Sequence, residues 1–215
     1  MLDKLTFYHS PNTRSSGTFH LLEELGAPYE MHALNMKSGE QRAPAYLAVN
    51  PMGKVPAIRR GDDLVTEQPA IFIYLADLFP EHGLAPAPTD SLRGAYLRWL
   101  VFYGSCFEPA LIDRALKRDP APAAMSPYGD FDTVLAQVTG ALGRGPYILG
   151  ERFTAADVLW GGSLGWTTGF GLVPKTPEIM AYVARVADRP AAARVRARDA
   201  ELSAQHEAAL ADQSG

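Results

Sequence analysis

The chain has 215 residues, 47% hydrophobic and 20% charged, a composition typical of a soluble globular protein with room for two small domains. Its formal net charge of −4 gives no reason to expect nucleic acid or an anionic membrane surface as a partner. The single cysteine, Cys106, excludes an internal disulfide, a Cys-x-x-Cys redox pair and a cysteine-rich zinc site.

The first 80 residues alternate between the short period of strands and the longer period of helices. In chain order the predicted elements are a strand over 5–9, a helix over 13–25, a strand over 29–34, a short helix over 43–49, strands over 55–60 and 63–66, and a helix over 68–79. Gly26 stands where a helix C-cap glycine belongs, and Gly61-Asp62 is typical of a hairpin turn. The order βαβαββα predicts an α/β domain with one small mixed sheet and helices packed on it.

The pattern changes after residue 80. Pro80, Gly83, Pro86 and Pro88 are close together in a stretch that cannot form regular structure, which indicates a linker over 81–89. Beyond it we find no convincing strand, and apolar residues recur at helical spacing. The predicted helices run from Asp90 or Ser91 to about 111, and then over 131–142, 155–166, 177–187 and 191–209. The sequence therefore predicts two domains, an α/β domain over 1–80 and an all-α helical bundle over 90–215.

Three sequence segments accompany this order of elements. They are Asn50-Pro51-Met52-Gly53-Lys54-Val55-Pro56-Ala57-Ile58, Thr66-Glu67-Gln68-Pro69-Ala70-Ile71 and Phe153-Thr154-Ala155-Ala156-Asp157-Val158. Their order and spacing, over nearly the whole chain, resemble the cytosolic glutathione S-transferases, in particular the bacterial serine or theta-like type. The resemblance implies a thioredoxin-like N-terminal domain that binds glutathione and a helical domain that completes the active site. It also implies a homodimer, with glutathione as co-substrate and no metal.

The segment around Val55-Pro56 is the first candidate for glutathione binding. A proline at the start of a strand has no N–H, so the backbone groups of Val55 are left to pair with something else. In the resembling family this peptide bond is cis, and the residue before the proline pairs its backbone with the cysteinyl part of glutathione, as peptides do when they add to a strand edge. Without the resemblance, Pro56 is interpreted as a turn residue on an edge strand, with the commoner trans bond.

Glu67 and Gln68 come where a strand ends and a helix begins. The N-terminus of a helix offers free N–H groups and partial positive charge, which suit a carboxylate. The resemblance implies that Glu67 pairs with the ammonium of the γ-glutamyl end of glutathione, and that Gln68, where many relatives have serine, bonds its carboxylate. Lys54, Lys37 and Gln41 are candidates for the glycyl carboxylate. The alternative is a capped helix start with a solvated Glu67, and surface lysines that bind no ligand.

Thr154 and Asp157 form a Ser/Thr-x-x-Asp capping box. Phe153 and Val158 have the spacing of a hydrophobic staple around it. We interpret this motif as structural, since it stabilises the start of a helix, and assign it no catalytic role.

Conjugation requires glutathione as a thiolate, because the thiolate is the nucleophile and a free thiol is mostly protonated at neutral pH. The resemblance implies that a hydroxyl at the start of the first helix stabilises this anion, with help from the helix dipole. Alignment with serine-type relatives, counted back from Gly26, places their catalytic serine at Thr13. Ser15 is the second candidate and Ser10 the third. For each of the three the interpretation as a helix cap also stays open.

The second substrate is expected to be a small hydrophobic electrophile bound against aromatic side chains of the helical domain. The candidates for this apolar wall are Tyr96, Trp99, Phe102, Tyr103, Cys106, Trp166 and Phe170. An aromatic stripe at helical spacing is more often core than pocket.

Two other functions stay open beside conjugation. One is a glutathione-dependent peroxidase or disulfide reductase, which would use the same thiolate site. The other is a non-catalytic glutathione-binding carrier or interaction protein of the same fold. The first residues show no basic stretch followed by an apolar run, and no apolar segment approaches the roughly 20 residues that span a bilayer, so a cytoplasmic location is expected.

Overall fold

The computed structural model describes residues 4–118, 121–122 and 124–212. By their contacts these residues form two compact units, one made of residues 4–75 and 189–212, the other of residues 76–188. The sequence groups everything after residue 90 into the helical domain, whereas in the structure the last helix packs in the first unit. The physical reason is that its polar side chains bond to His9 and Glu23 of the first unit, contacts that no local pattern indicates.

A four-stranded mixed sheet forms the centre of the described part of the first unit. Its strands are β1 (Leu5–His9), β2 (Tyr29–Ala33), β3 (Ala57–Arg60) and β4 (Asp63–Val65), in the order β2-β1-β3-β4. β1 is parallel to β2 and antiparallel to β3, which in turn is antiparallel to β4. The helices of this unit are α1 (Ser15–Glu24), α2 (Pro44–Leu47), the greater part of α3 (Gln68–Leu78) and, late in the chain, α9 (Pro190–Asp212). The predicted thioredoxin-like order of elements is confirmed.

The strand register brings four loops to one end of the sheet. His9 and Ala33, the last residues of β1 and β2, pair with each other. Tyr8 pairs with Ala57, the first residue of β3, and the end of β4 lies next to the start of β3. The segments after β1, β2 and β4 and the segment before β3 are therefore neighbours. They contain all the candidate glutathione-binding and catalytic residues.

Apolar side chains between the sheet and its helices hold this arrangement. Phe7 and Ile58 from the sheet, Leu22 from α1 and Ile71 from α3 are all fully buried. Each such side chain contributes about 1.5–3 kcal/mol on burial. Buried positions alternate along β1, so His9 occupies the same buried face as Phe7. A histidine thus stands at a core position of the central strand.

Helices make up the described part of the second unit. They are α4 (Arg93–Phe102), α5 (Glu108–Ala115), α6 (Phe131–Leu142), α7 (Ala155–Gly169) and α8 (Pro177–Ala187). Between α4 and α5 the residues Tyr103–Phe107 form a wider π-helical turn, where the sequence predicts a continuous helix. Pro109 accounts for the difference, because in a regular α-helix its ring would meet the carbonyl of Ser105.

Trp160 lies at the centre of this helical unit. It is fully buried, and its indole N–H donates to the carbonyl of Trp99 at 3.1 Å. The centroid of its ring lies 4.9 Å from that of Phe107 and 5.4 Å from that of Tyr103. The aromatic residues of α4 and the following turn are thus largely core of the second unit.

The predicted capping box at the start of α7 is confirmed. The Thr154 N–H donates to Asp157 Oδ2 at 2.8 Å, and the Thr154 side chain in turn caps the helix. The other carboxylate oxygen of Asp157 accepts from the N–H of Ile148 at 2.7 Å and from the hydroxyl of Tyr182 at 3.0 Å. Burial raises the pKa of Asp157, and these hydrogen bonds offset only part of that rise. The motif therefore ties α7 to the preceding loop and to α8.

Candidate active site

Three hydroxyl groups lie in the segment after β1 and at the first residue of α1. Ser10 and Ser15 are buried, whereas Thr13 is half-buried. Thr13 Oγ1 lies 2.7 Å from the carbonyl oxygen of Ser10 and 2.7 Å from Ser15 Oγ. Of the three candidate residues, Thr13 is therefore the one that is partly exposed, and Ser15 is directed into the protein.

Ser15 continues a row of hydrogen bonds into the interior. Ser15 Oγ lies 2.9 Å from His9 Nδ1, and His9 Nε2 lies 2.9 Å from Asp199 Oδ1 on α9. His9 is fully buried and Asp199 nearly so. Burial would raise the pKa of Asp199, but the hydrogen bonds from His9 and Ser16 hold it below its ordinary value. We name Thr13, Ser15, His9 and Asp199 the hydroxyl–imidazole network.

Sequence reasoning misses two members of this network, His9 and Asp199. One signal was available for His9, because the alternation of β1 places it on the face that should be apolar. No signal marks Asp199, since it stands 190 residues further along the chain on a helix whose polar residues otherwise suggest a solvated face.

The first turn of α1 places partial positive charge beside Thr13. Residues 15–18 are all uncharged, so no carboxylate side chain neutralises the helix N-terminus from within that turn. The N–H of Ser15 donates to Thr13 Oγ1 at 3.2 Å. Backbone N–H groups at a helix N-terminus carry partial positive charge. A negatively charged ligand atom next to Thr13 would meet both a hydroxyl donor and this charge.

Glu67 precedes α3 in an unusual backbone conformation. Its φ of +64° lies in the left-handed region, which is uncommon for a residue with a Cβ. Its carbonyl accepts the N–H of Ile71 at 3.0 Å, and its side chain is exposed. Strained residues of this kind are concentrated at functional sites.

Gln68 turns toward α1. Its Nε2 donates to the carbonyl of Arg14 at 2.9 Å, and Gly17 leaves the room that this approach requires. Within the described part of the chain, Gln68 Oε1 is buried without a hydrogen-bond partner. The donor that the resemblance assigns to a ligand carboxylate is thus engaged with Arg14, and the unpaired atom is an acceptor.

The Val55–Pro56 peptide bond is cis, as the resemblance implies. The carbonyl of Lys54 just before it accepts from the Tyr46 hydroxyl at 2.6 Å and from Asn50 Nδ2 at 2.9 Å. Burial raises the pKa of Tyr46 to about 12, so that its hydroxyl stays a neutral donor. These two donors fix the direction of the segment, while the backbone groups of Val55 make no hydrogen bond with the described residues.

The remaining candidates for the glycyl carboxylate differ in their surroundings. Lys54 is exposed. Lys37, also exposed, has its Nζ 2.9 Å from Glu207 on α9. Gln41 is half-buried, and its Oε1 has no hydrogen-bond partner among the residues that the structure describes. All three belong to the loops gathered at the same end of the sheet.

The aromatic candidates for the second substrate belong to the helical unit. Tyr96, Trp99 and Tyr103 are buried there, and Phe102 and Cys106 are half-buried. Trp166 and Phe170 are 50% and 65% exposed, with ring centroids 4.7 Å apart. The interpretation as core therefore holds for the first three, whereas Trp166 and Phe170 present apolar surface.

Neither a candidate membrane span nor a candidate metal cluster is present among the described residues. None of their helices has the length and apolar character needed to cross a bilayer. Nor do they contain three or more His, Cys, Asp or Glu side chains grouped so as to hold a metal ion.

Comparison with known sequences identifies relatives over both units. Residues 3–77 match the family model for the N-terminal domain of glutathione S-transferases, and residues 113–190 match the model for their C-terminal domain. Glutathione S-transferase GstA of Escherichia coli O157:H7 is 30% identical over 192 residues, 86% of this chain and 94% of that protein. Glutathione S-transferase 3 of Zea mays is 27% identical over 195 residues, 85% of this chain and 87% of that protein.

Solved structures with a similar fold are also glutathione transferases. A glutathione transferase from Methylococcus capsulatus superimposes with a TM-score of 0.76 at 29% identity, covering 91% of this chain and 98% of that one. A sphingomonad glutathione S-transferase, solved in complex with glutathione, gives a TM-score of 0.75 at 29% identity with the same coverage of 91% and 98%. These matches show that the chain belongs to the glutathione S-transferase family and is a glutathione transferase.

Proposed function

We propose that this enzyme conjugates glutathione to small hydrophobic electrophiles, and that the Thr13 hydroxyl stabilises the reacting thiolate. The observation that carries the proposal is the position of Thr13, a half-buried residue with a hydroxyl, two residues before the start of α1. A hydroxyl donor and a helix dipole together lower the free energy of an anion held beside them. The protein then needs no nucleophile of its own, because glutathione supplies the sulfur.

The residues at this end of the sheet fit the chemical groups of glutathione. The unpaired backbone of Val55 can take up an extended peptide. The Glu67 carboxylate and the orphaned Gln68 Oε1 are both acceptors, and so suit the γ-glutamyl ammonium. A buried acceptor without a donor costs free energy, which a bound ammonium would recover. The exposed ammonium of Lys54 suits the glycyl carboxylate, with Lys37 and Gln41 as the alternative partners.

When bound, glutathione supplies the thiol that becomes the nucleophile. A hydrogen bond from Thr13 to its sulfur favours the anion over the thiol and so lowers the thiol pKa. In substitution, the carbon–sulfur bond forms while the leaving group departs with its bonding electrons. In an addition reaction, the sulfur forms its bond to carbon, and the displaced electron pair moves onto the acceptor, which then takes a proton from water. The role of the protein in both cases is to hold the sulfur ionised and in place.

The pKa of bound glutathione tests this proposal. Thiolate absorbance is followed against pH in the parent, Thr13→Ala, Thr13→Ser, Ser15→Ala and Ser10→Ala. We expect the parent to lower the thiol pKa by about one unit or more, Thr13→Ala to abolish most of that shift, and Thr13→Ser to retain it. If Ser15→Ala or Ser10→Ala loses the shift in the thiol pKa while Thr13→Ala retains it, that serine stabilises the thiolate instead of Thr13. Glutathione binding without any shift would contradict the proposal.

Turnover separates conjugation from the two other functions. The rates with a chlorinated dinitrobenzene, an organic hydroperoxide and a mixed disulfide of glutathione are compared in the same preparation. Conjugation predicts loss of chloride and a thioether product. Preferential turnover of the hydroperoxide or the disulfide would assign a peroxidase or reductase, and retention on a glutathione column without any turnover would assign a carrier.

The family also suggests how the enzyme is assembled. We propose a homodimer, since that state is implied by the resemblance, and a cytoplasmic location. Sedimentation equilibrium at several protein concentrations tests the first and cell fractionation the second.

A further inference from the structure

The hydroxyl–imidazole network extends beyond any group that can touch glutathione. His9 is fully buried and Asp199 is 5% exposed, so both are too deep to contact a ligand at the protein surface. We propose that His9 and Asp199 are positioning residues, which keep Ser15 a hydrogen-bond acceptor and so hold the Thr13 hydroxyl in place as the donor for the glutathione sulfur. This inference rests on the proposed role of Thr13.

The charge of Asp199 decides which nitrogen of His9 carries the proton. The bonds from His9 and Ser16 outweigh burial and keep the pKa of Asp199 low, so at neutral pH it is a carboxylate and can only accept. His9 Nε2, at 2.9 Å from its Oδ1, must therefore carry a proton. A neutral imidazole has one N–H, which leaves Nδ1 as an acceptor.

The hydroxyl of Ser15 has one proton, and His9 Nδ1 is its acceptor. His9 Nδ1 at 2.9 Å takes that proton, and the lone pairs of Ser15 Oγ face the N–H of Ser10 at 3.1 Å and the hydroxyl of Thr13 at 2.7 Å. Ser15 is thus an acceptor toward Thr13. Without His9, the Ser15 proton could turn to the carbonyl of Ser10, at 3.0 Å, or to Thr13.

The hydroxyl proton of Thr13 is the one in the network that can change its hydrogen-bond acceptor. Its oxygen already accepts the N–H of Ser15, and its proton has two nearby acceptors, the carbonyl of Ser10 and Ser15 Oγ. A thiolate is a charged acceptor, and hydrogen bonds to charged acceptors are the stronger ones. The Thr13 proton is therefore the member of the network that a bound sulfur can recruit, and the remaining bonds hold the oxygen in position.

The same residue types in another arrangement would suggest a hydrolase. Ser15, His9 and Asp199 match the serine, histidine and carboxylate of a catalytic triad. Ser15 is fully buried, however, and its oxygen is surrounded by Ser10, Thr13 and His9, so no external carbonyl can approach it. The network can act only on Thr13.

The test compares Asp199→Asn, His9→Ala and His9→Asn with the parent. Asp199→Asn removes the charge but keeps the shape, and His9→Asn keeps a polar group near the place of Nδ1. We expect Asp199→Asn and His9→Ala to raise the pKa of bound glutathione by about one unit, and kcat/KM at neutral pH to fall about tenfold with little change in the KM for glutathione. His9→Asn should recover part of this loss.

A matched control comes from the same helix. Arg194 on α9 pairs with Glu23 on α1 at 2.6 Å, and neither residue is a member of the network. Arg194→Gln therefore weakens the attachment of α9 without disturbing His9. It should leave the thiol pKa and kcat unchanged, even if it lowers the thermal midpoint as much as Asp199→Asn does.

Nitrogen-15 NMR of the imidazole provides a readout that does not depend on glutathione. We expect the Nε2–H form of His9 in the parent and its loss in Asp199→Asn. If the folded Asp199→Asn and His9→Ala variants keep the parental thiol pKa, then His9 and Asp199 only hold α9 in place and the inference is wrong, although Thr13 keeps its role. If the parent does not lower the thiol pKa, the proposed function fails and this inference fails with it, whatever the NMR shows.

Discussion

Gln68 reaches the first helix through the space that Gly17 leaves, since a Cβ on Gly17 would lie 2.6 Å from Gln68 Nε2. The amide thereby donates to the carbonyl of Arg14 at 2.9 Å. The start of α3 is in this way fixed to the start of α1, and Glu67 is fixed with it. The position of Glu67 relative to the start of α1 therefore depends on one glycine.

This relationship predicts coupled substitutions. Gly17→Ala should destabilise the protein by about 1–3 kcal/mol, because the amide must move and its bond to Arg14 is lost. In a Gln68→Ser background the same change should cost nothing or stabilise by up to about 1 kcal/mol, the helix propensity of alanine over glycine. Urea unfolding of the four proteins measures the coupling. Additive effects would show that Gln68 does not occupy this space.

The backbone of Glu67 predicts opposite effects on stability and binding. Glu67→Gly relieves a positive φ and should stabilise the protein by about 1 kcal/mol, while affinity for glutathione falls. Glu67→Gln keeps the strained backbone and removes the charge, so it should lower affinity without the gain in stability. Thermal unfolding and glutathione titration of both variants provide the test. Equal stability of the two variants would mean that the strain is negligible.

Two adjacent glycines of α7 predict contrasting results. A Cβ at Gly161 would lie 2.6 Å from Val186 on α8, whereas a Cβ at Gly162 would meet nothing within 4 Å. Gly161→Ala should therefore cost about 1–3 kcal/mol by forcing the helices apart. Gly162→Ala should be neutral or stabilise by up to about 1 kcal/mol. If both substitutions stabilise in denaturant unfolding, the two helices are not in close contact.

The ion pair of Glu24 predicts a loss of stability in acid. Burial would raise the pKa of Glu24, but its bonds with Arg189 and His20 lower it from the ordinary 4.5 to about 2. Because the folded pKa is below the unfolded one, the stabilisation is present above pH 4.5 and is lost as the pH falls from 4.5 toward 2. The difference corresponds to at most about 3 kcal/mol.

Glu24→Gln isolates this contribution, since glutamine does not titrate. The difference in unfolding free energy between the parent and Glu24→Gln should be largest at neutral pH and should shrink as the pH falls below 4.5. Denaturant unfolding at a series of pH values measures it. A difference that is constant with pH would mean that the Glu24 carboxylate is not preferentially ionised in the folded protein.

Two aspartates at the starts of helices should differ in how much they stabilise the folded protein. Asp157 is buried and accepts from Ile148, Thr154 and Tyr182, so Asp157→Ala leaves several buried donors unpaired and should cost about 3 kcal/mol or more. Asp130 caps α6 at an exposed position, and Asp130→Ala should cost about 1 kcal/mol. Chemical denaturation compares the two. Similar losses would indicate that water replaces the carboxylate of Asp157.

The sequence predicts those features that local patterns determine. β1, α6 and α8 have the predicted bounds, because alternation, helical period and capping residues all agree there. The gathering of the candidate loops at one end of the sheet also follows from the predicted order of elements, once strand pairing is known. These features need only neighbours along the chain or the family pattern.

Features that depend on distant contacts could not be predicted. The direction of Gln68 depends on Gly17, and the bond between His9 and Asp199 joins residues 190 positions apart. A buried histidine on a strand is compatible with many partners, and the polar residues of α9 have the same composition whether they meet water or His9. The placement of α9 in the first unit follows from such contacts, so only the structure reveals it.

The position of Asp199 also has a consequence for how the protein is made. Translation proceeds from the N-terminus, so His9 leaves the ribosome early and its partner emerges only after residues 76–188 have been synthesised. A nascent chain can form the sheet and α1 while the buried imidazole still lacks its carboxylate. The first unit to appear is therefore the last to be finished, and a chain that stops short of α9 would have Thr13 and Ser15 without the carboxylate that His9 bonds to.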